Sequence, residues 1–169
     1  MDVETAIRAR RTHKQYGSEP VGEATVRELL DLARHAPNHH LTQPWRFRVL
    51  GPQTRARLEE AAGEKEAVKL RRAPTLVLAT AALSGEPRAD EEDLHATACA
   101  VYAVLLGATA RGLASYWRTP EVLGEPAVRR LLGLAGEERV VALIHLGPPI
   151  SVPPEKERLP LDTVLTLLP

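Results

Sequence analysis

Four residues near the amino terminus could together bind an anion: Arg10, Arg11, Thr12 and Lys14. Arginine guanidinium groups match the oxygens of a phosphate, a hydroxyl adds a donor, and a lysine adds a point charge. The same arginines would also complement the negative end of a preceding helix dipole. Taken alone, the cluster fits both interpretations about equally well.

The overall charge requires any such anion site to be local. The 169 residues include 22 basic and 22 acidic side chains, so the net charge is zero. No global field favours nucleic acid or an anionic membrane. The length predicts one domain over residues 1–169. The single cysteine, Cys99, cannot form an internal disulfide, and no apolar signal segment follows the first residue, which favours a cytoplasmic setting.

A second polar stretch, "APNHHLTQPW", contains His39 and Gln43, and His35 directly precedes it. Two histidines four positions apart on a helix could bind a metal, but Pro37 lies between them and interrupts the helix. No Cys, Asp or Glu lies nearby in sequence. We therefore predict no metal site, and interpret the stretch as ligand contacts or plain surface.

A third stretch, "GLASYWRTP", ends in Trp117, Arg118 and Thr119, and the proline-rich tail carries Arg158. Each is unremarkable alone, since Trp117 could fill the core and Arg158 could be solvated. No nucleophile and base stand at a recognisable spacing, and Cys99 falls in an apolar segment where a thiol is usually inert. A bound cofactor would then have to supply the chemistry. There is no Gly-rich dinucleotide fingerprint and no phosphate-binding Walker loop.

Hydrophobic periodicity predicts an α+β domain, with a central mixed or antiparallel sheet flanked by helices. The arginines of "WRFRVL" are expected to face outward, and residues 84–92 to form a polar linker. The apolar 94–110 segment is shorter than a membrane span and is predicted to be a central buried helix. Helices are expected at 3–11, 23–36, 52–62, 94–110 and 126–134, and strands at 45–50, 74–83, 113–117 and 139–147.

Taken in order, these stretches resemble the nitroreductase family of FMN-dependent flavoproteins, and its small-subunit branch in particular. The family shows four motifs in the same order as this chain, and together they span nearly the whole of it. They are an Arg-x-Thr-x-Lys pattern, an Ala-Pro loop ending in Gln-Pro-Trp, a Gly-Leu strand with a Trp, and an Arg-x-Pro-Leu tail. The matching residues are Arg10, Thr12, Lys14, Ala36, Pro37, Gln43, Pro44, Trp45, Gly112, Leu113, Trp117, Arg158, Pro160 and Leu161.

The resemblance implies a cofactor site built mainly from the basic cluster. Arg10, Arg11 and Thr12 would hold the FMN phosphate and ribityl chain, and Lys14 would lie near the pyrimidine ring as a tuning cation. Arg158 is implied as a further phosphate contact. No side chain is implied as a catalytic acid or base, since the flavin carries the chemistry.

The resemblance also implies a domain-swapped homodimer in which residues 148–169 wrap the partner subunit. Each flavin would lie at the subunit interface. The loop with His35, His39 and Gln43 would contact the flavin bound mainly by the other subunit, and the Trp117–Thr119 strand end, which includes Arg118, would border a flavin.

The implied function is transfer of hydride from NAD(P)H to a nitroaromatic or quinone acceptor by a ping-pong mechanism. Leu41 stands where many family members have Asn, Ala114 replaces a glycine, and the chain is short for the family. These departures keep an alternative open: a flavin-binding sensor or carrier with little turnover. A flavin-fragmenting activity is a further alternative, for which the sequence offers no supporting residue.

Overall fold

The computed structural model describes residues 1–169 as helices packed on both faces of one four-stranded sheet. All three strand pairs are antiparallel, with the order β1-β2-β4-β3. This confirms the predicted α+β class and settles the sheet as fully antiparallel. The strands are β1 (Trp45–Val49), β2 (Thr75–Ala82), β3 (Ala114–Arg118) and β4 (Glu138–Gly147).

Five α-helices surround the sheet: α1 (Val3–Ala9), α2 (Glu23–Ala33), α3 (Pro52–Leu70), α4 (Pro87–Ala110) and α5 (Pro126–Leu131). Helices α2 and α4 pack on one face of the sheet, where Val26, Val104 and Ile144 belong to the same core cluster. Helices α3 and α5 pack on the other face, in a second cluster with Leu58 and Leu143. The alternation of β4 side chains between the two clusters follows from the two-residue period of a strand.

The predicted polar linker at 84–92 is wrong, because most of it forms the first turns of α4. Glu86 caps this helix by accepting a hydrogen bond from the Ala89 backbone N–H at 3.0 Å, and Pro87 occupies a position in the first turn. A first turn accepts proline without losing a hydrogen bond and is stabilised by carboxylates. Half of the most apolar 18-residue window of α4 is buried within the chain, as in a core helix.

Helix α3 extends beyond its predicted end at residue 62 because Gly63 interrupts it without ending it. Gly63 has φ 69° and ψ 161°, a conformation open to glycine and rarely adopted by other residues. Three helices end two or three residues earlier than predicted, since α1 stops at Ala9, α2 at Ala33 and α5 at Leu131.

The expectation that both arginines of β1 face solvent holds for Arg46 only. Arg48 forms a two-pronged ion pair with Glu138 of β4, with both N–O distances at 2.8 Å. Its side chain is 28% exposed, and that of Glu138 is 10% exposed. Strand order brings these two residues to one face of the sheet although 90 positions separate them.

The tail after β4 leaves its apolar side chains uncovered. It is held at its start, where the Gly17 N–H donates to the Pro148 carbonyl at 2.8 Å and Tyr16 forms a bridge with Pro149. From Ile150 onward nearly every residue is exposed, and Leu167 and Leu168 are 84% and 85% exposed. One chain alone therefore offers these leucines no packing partner.

Candidate functional site

The basic segment that follows α1 presents two of its predicted binding residues on one side. The backbone leaves the helix at Arg10, with φ −56° and ψ 125°. Beyond it His13 and Tyr16 are buried, whereas Thr12 and Lys14 are exposed. The His13 N–H donates to the Ser115 carbonyl at 3.0 Å, which fixes the segment against β3. Arg10, at the next alternate position towards the helix, is half-buried, and the three residues at positions 10, 12 and 14 are called the row below.

The side chains of this row have no polar partner within the chain. Arg10, Thr12 and Lys14 take part in no side-chain hydrogen bond or ion pair, although twelve ion pairs occur elsewhere. Arg11 differs, because it donates to the Arg10 carbonyl at 3.1 Å and pairs with Glu155 of the tail at 3.4 Å. The row is thus free to bind an anion, and Arg11 ties the segment to the tail.

A cleft of about 530 Å³ opens beside Lys14, and it holds a second cation that the sequence did not reveal. Arg72, which follows α3, lines this cleft together with Lys14, Gln15, Tyr16 and Ile150. Two cations facing one cleft favour an anionic or electron-rich ligand. Only the fold brings Arg72 to Lys14, so no local pattern could have identified it.

An apolar groove of about 610 Å³ contains two other predicted residues, His35 and Trp117. It runs between α2 and α4, and the Trp117 indole N–H donates to the Val141 carbonyl at 2.9 Å. None of the residues around this groove lines the cleft beside Lys14. A single chain therefore presents two separate partial sites. The groove is lined by Leu32, His35, Ala36, Pro37, Ala98, Cys99, Tyr102, Ala103, Leu106 and Trp117.

The loop between α2 and β1 carries the predicted residues His39 and Gln43. The His39 ring pairs with Glu92 of α4, with a distance of 2.7 Å between Nδ1 and Oε2. Hydrogen bonding from His39 holds the pKa of Glu92 below its usual range. The Gln43 side chain is exposed and has no polar partner within the chain.

The largest cavity, about 710 Å³, contains none of the predicted residues. It lies between the start of α2, the end of β1 and the start of α3, and it is lined in part by Val21, Leu30 and Val49. Because β1 is an edge strand, one side of its backbone has no strand partner in this chain. Glu23, Arg27 and Arg55 also line it, so the cavity has both apolar and charged walls.

The sequence itself matches a known family over most of its length. A profile described as the nitroreductase family matches residues 7–69 and 62–148. The chain belongs to the nitroreductase family. The two matched ranges include the basic segment, the 38–43 loop and the end of β3, and they stop at the start of the tail.

Individual nitroreductase relatives agree with this assignment. YfhC of Bacillus subtilis (strain 168), whose name places it among NAD(P)H nitroreductases, is 30% identical over 171 residues, covering 92% of this chain and 88% of YfhC. A nitroreductase-like family protein from Bacillus cereus has the same fold, with a TM-score of 0.90 at 23% identity over 99% of this chain and 96% of that one. A Desulfovibrio desulfuricans protein solved in complex with FMN is 28% identical, with a TM-score of 0.82 over 99% and 96% of the two chains.

In this nitroreductase, Arg118 lies in a buried ion network on the opposite face of the sheet from Trp117. Its guanidinium group contacts the Glu66 carboxylate of α3, which also accepts from Lys69 at 2.9 Å. Burial raises the pKa of Glu66, but the hydrogen bonds from Lys69 and Arg118 outweigh burial, and the net pKa is lowered. Glu66 binds Nη2 of Arg118, whereas Nη1 is buried without a hydrogen-bond partner, and a contact between Arg118 and the flavin stays a prediction.

His145 lies beneath this network and is held neutral. Burial is the main cause that lowers its pKa to about 3, and the positive charges of Arg118 and Arg55 lower it further. It is 1% exposed, and its Nε2 atom has no hydrogen-bond partner. Tyr16 nearby also remains protonated, since burial raises the pKa of its hydroxyl well above the usual range. Neither group changes its protonation state near neutral pH.

Two predicted residues join neither partial site. Thr119 is exposed and lies beside Pro120 in a different depression. Arg158 is in the exposed tail, where its Nη1 atom reaches only the Lys156 carbonyl at 3.3 Å. Both stay predictions that a single chain does not bring to the basic segment.

Proposed function

We propose that this nitroreductase is an FMN-dependent oxidoreductase that takes hydride from NAD(P)H and delivers it to nitroaromatic or quinone acceptors. The observation that carries the proposal is the row of unpartnered donors, Arg10, Thr12 and Lys14, of which Lys14 lines a cleft that also contains Arg72. The coarser activity, an NAD(P)H-dependent flavin oxidoreductase, agrees with the names of the curated relatives and with the FMN complex of the Desulfovibrio protein.

The chemistry of the donor set suits FMN. Arg10 and Thr12 would bind the phosphate and the ribityl chain through charge-assisted and hydroxyl hydrogen bonds. Lys14, at the mouth of the cleft, would lie beside the pyrimidine edge of the ring. When bound, FMN would supply the hydride chemistry itself, in keeping with the absence of a side-chain nucleophile and base.

Lys14 would act through its charge. A lysine ammonium beside the pyrimidine edge stabilises negative charge that is present only after reduction, so it favours reduction more than binding. Arg72 adds a second positive charge to the same cleft. Tyr16, which lines the cleft, stays protonated at neutral pH because burial raises its pKa.

We further propose a homodimer in which residues 148–169 wrap the second copy. The two partial sites of one chain do not meet, and the tail exposes Val164, Leu167 and Leu168 at 72%, 84% and 85%. A second copy would supply the cover that these residues lack, and the cavity beside edge strand β1, whose walls include Val21, Leu30 and Val49, could receive them. His35, Gln43 and Trp117 of one copy would then border the flavin held mainly by the other.

The first experiment separates this proposal from a non-catalytic flavin binder. We expect the purified protein to be yellow, to release FMN and not FAD on denaturation, and to be bleached by NADH or NADPH in anaerobic stopped-flow mixing. If the protein stays colourless after refolding with excess FMN, the proposal that FMN is its cofactor is refuted. Flavin that is reduced by light but by neither nicotinamide would instead favour the sensor or carrier, which the exposed Leu41 in place of the usual Asn keeps open.

The ping-pong order and the shared site need steady-state kinetics. We expect parallel lines in initial-rate plots with menadione and with a nitrofuran, because one site would accept the two substrates in turn. Intersecting lines would show that both substrates bind together and would exclude the ping-pong order. We also infer that the protein works in the cytoplasm, where NAD(P)H is available.

A further inference from the structure

The loop from Asn38 to Gln43 contains three non-glycine residues in the left-handed region of backbone conformation. His40 has φ 55°, Leu41 has φ 51° and Gln43 has φ 48°. These are the only non-glycine residues with positive φ in the chain. Side chains rarely adopt this conformation, because Cβ then crowds the backbone, and such strain persists only where surrounding contacts impose it.

Asn38 imposes the conformation from within the loop. Its side-chain oxygen accepts a hydrogen bond from the Gln43 N–H at 2.6 Å, and its side-chain nitrogen donates to the Thr42 hydroxyl at 2.9 Å. One amide at the start of the loop is thus tied to two residues at its end. The Arg46 guanidinium adds a third restraint by donating to the Gln43 carbonyl at 2.8 Å.

Helix α4 imposes the conformation from outside the loop. The Thr42 hydroxyl donates to the carboxylate of Asp93, which is 6% exposed, and His39 pairs with the neighbouring Glu92. A carboxylate this deeply buried is normally retained only where a donor satisfies it. Thr42 is the side chain that does so here.

These restraints hold the loop in a form that exposes an apolar side chain and an unpaired amide. Leu41 is 75% exposed, and the Gln43 side chain has no partner within the chain. Folding alone gains little from either arrangement. Several hydrogen bonds impose this strain, and the result is that Leu41 and Gln43 face outward. Such an arrangement indicates preorganisation for a ligand.

We propose that Asp93 and Asn38 are positioning residues for the flavin site: they hold the 38–43 loop in its left-handed form so that Leu41 and Gln43 meet the cofactor. Leu41 would pack on the apolar part of the ring, and the Gln43 amide would bond to its polar edge. The proposal rests on the proposed function, because it takes the ligand to be FMN held mainly by the second copy.

The test compares FMN binding and loop order in four variants of the full-length protein. Asp93→Ala removes the acceptor for Thr42, and we expect a roughly tenfold higher Kd for FMN, the effect of losing one hydrogen bond of about 1.4 kcal/mol. Asp93→Asn keeps an acceptor oxygen and should stay within threefold of wild type. Asn38→Ala should weaken binding as Asp93→Ala does, whereas Asn38→Asp, which still accepts from the Gln43 N–H, should keep most of the affinity.

A glycine rescue distinguishes positioning from a merely structural role. Glycine adopts positive φ without strain, so His40→Gly lowers the free-energy cost of the loop conformation in variants whose restraints are weakened. The double variant Asp93→Ala/His40→Gly should recover at least half of the lost affinity on a logarithmic scale. Damage to α4 would not be repaired by a glycine in a loop 53 positions away.

Hydrogen exchange supplies a readout that needs no cofactor. In the flavin-free protein, the Gln43 amide should exchange at least tenfold faster in Asn38→Ala and in Asp93→Ala than in wild type. Asp90→Ala is the matched control, since Asp90 on the same helix binds the Ser84 N–H at 2.7 Å and serves a different turn. It should lower the melting temperature and leave Gln43 exchange and FMN affinity unchanged.

The outcomes separate this proposal from the function on which it rests. Wild-type protein that binds no FMN overturns the function and the loop proposal together. If wild type binds FMN and Asp93→Ala binds it equally well, or if the glycine variant restores nothing, the loop proposal alone is overturned. Should Asp93→Ala fail to fold, the Asn38→Ala and Asn38→Asp pair decides the question in the same way.

Discussion

Two groups of cations in this nitroreductase have opposite surroundings. Arg48 forms a two-pronged ion pair with Glu138, both N–O distances being 2.8 Å, in a region where neither side chain is more than 28% exposed. Arg10 and Lys14 have no acidic partner, Lys14 and Thr12 are exposed, and Arg10 is half-buried. Arg48 is thus neutralised by a partner within the chain, whereas we propose that Arg10 and Lys14 meet their anionic partner in a ligand. Loss of a cation that is paired within the chain, such as Arg48, should lower the stability of the fold. Loss of an unpaired cation of the row, such as Arg10, should lower the affinity for FMN.

The largest effect is expected from Arg48→Ala. It leaves the Glu138 carboxylate, 10% exposed, without its cation, and breaking a buried pair from one side is strongly destabilising. Because Arg48 retains some solvent contact, we expect a loss of about 3 kcal/mol in the free energy of unfolding, measured by urea titration at pH 7.

The control for Arg48→Ala is Arg34→Ala, which removes an ion pair with Asp31 whose members are 63% and 62% exposed. Exposed pairs contribute little, so this variant should lose less than about 0.5 kcal/mol. FMN affinity should be unchanged in both variants. A large affinity loss in Arg48→Ala, with folding intact, would contradict the assignment of this pair to stability.

The second effect is the pH dependence of the same ion pair. The hydrogen bond from Arg48, more than any other cause, lowers the pKa of Glu138 from 4.5 to about 2. A carboxyl with a depressed folded-state pKa contributes stability that is fully present above about pH 4.5 and is lost as the pH falls towards 2. The difference in unfolding free energy between wild type and Arg48→Ala should therefore shrink by about 2–3 kcal/mol between pH 6 and pH 2. A difference that stays constant over this range would exclude the pair as its source.

The third effect is on binding, and it tests the unpartnered row directly. Arg10→Ala removes one charge-assisted contact to the proposed phosphate and should weaken FMN binding by about 1.5–3 kcal/mol, roughly 10- to 150-fold in Kd. The melting temperature of the flavin-free protein should not change, since Arg10 has no partner to lose. Arg130→Ala, at an exposed position of α5, is the control and should affect neither quantity. An unchanged Kd in Arg10→Ala would remove the row from the cofactor site.

The sequence predicted the row well because its members are close together in the chain. Arg10, Thr12 and Lys14 alternate in an extended segment, so their spacing alone places them on one side. The fold class followed from strand and helix periodicity in the same way. The helix ends were less predictable. Helix α4 begins within a polar stretch, because Glu86 caps its first turn, and Gly63 bends α3 without ending it.

What the sequence could not predict depends on contacts between distant segments. Arg72 reaches the cleft of Lys14 only through the packing of α3. The ion pair of Arg118 with Glu66, 52 positions earlier, could not be read from either local stretch. The Asp93 restraint on the 38–43 loop was equally hidden, since its Thr42 partner is 51 positions away. Periodicity describes one element at a time and carries no information on such pairs.

The smallest effect on binding, and the most specific one, is expected at Lys14. A cation beside the ring acts mainly on the reduced form, so Lys14→Ala should change the Kd of oxidised FMN by less than threefold. The same variant should slow anaerobic flavin reduction by NAD(P)H about tenfold, a barrier increase of about 1.4 kcal/mol, and should lower the reduction potential of the bound flavin. Lys65→Ala, an exposed lysine of α3 outside the cleft, is the control and should leave rate and potential at their wild-type values. A Lys14→Ala protein that loses FMN affinity and keeps its reduction rate would instead make Lys14 a phosphate ligand like Arg10, because its charge would then act equally on the oxidised and reduced forms.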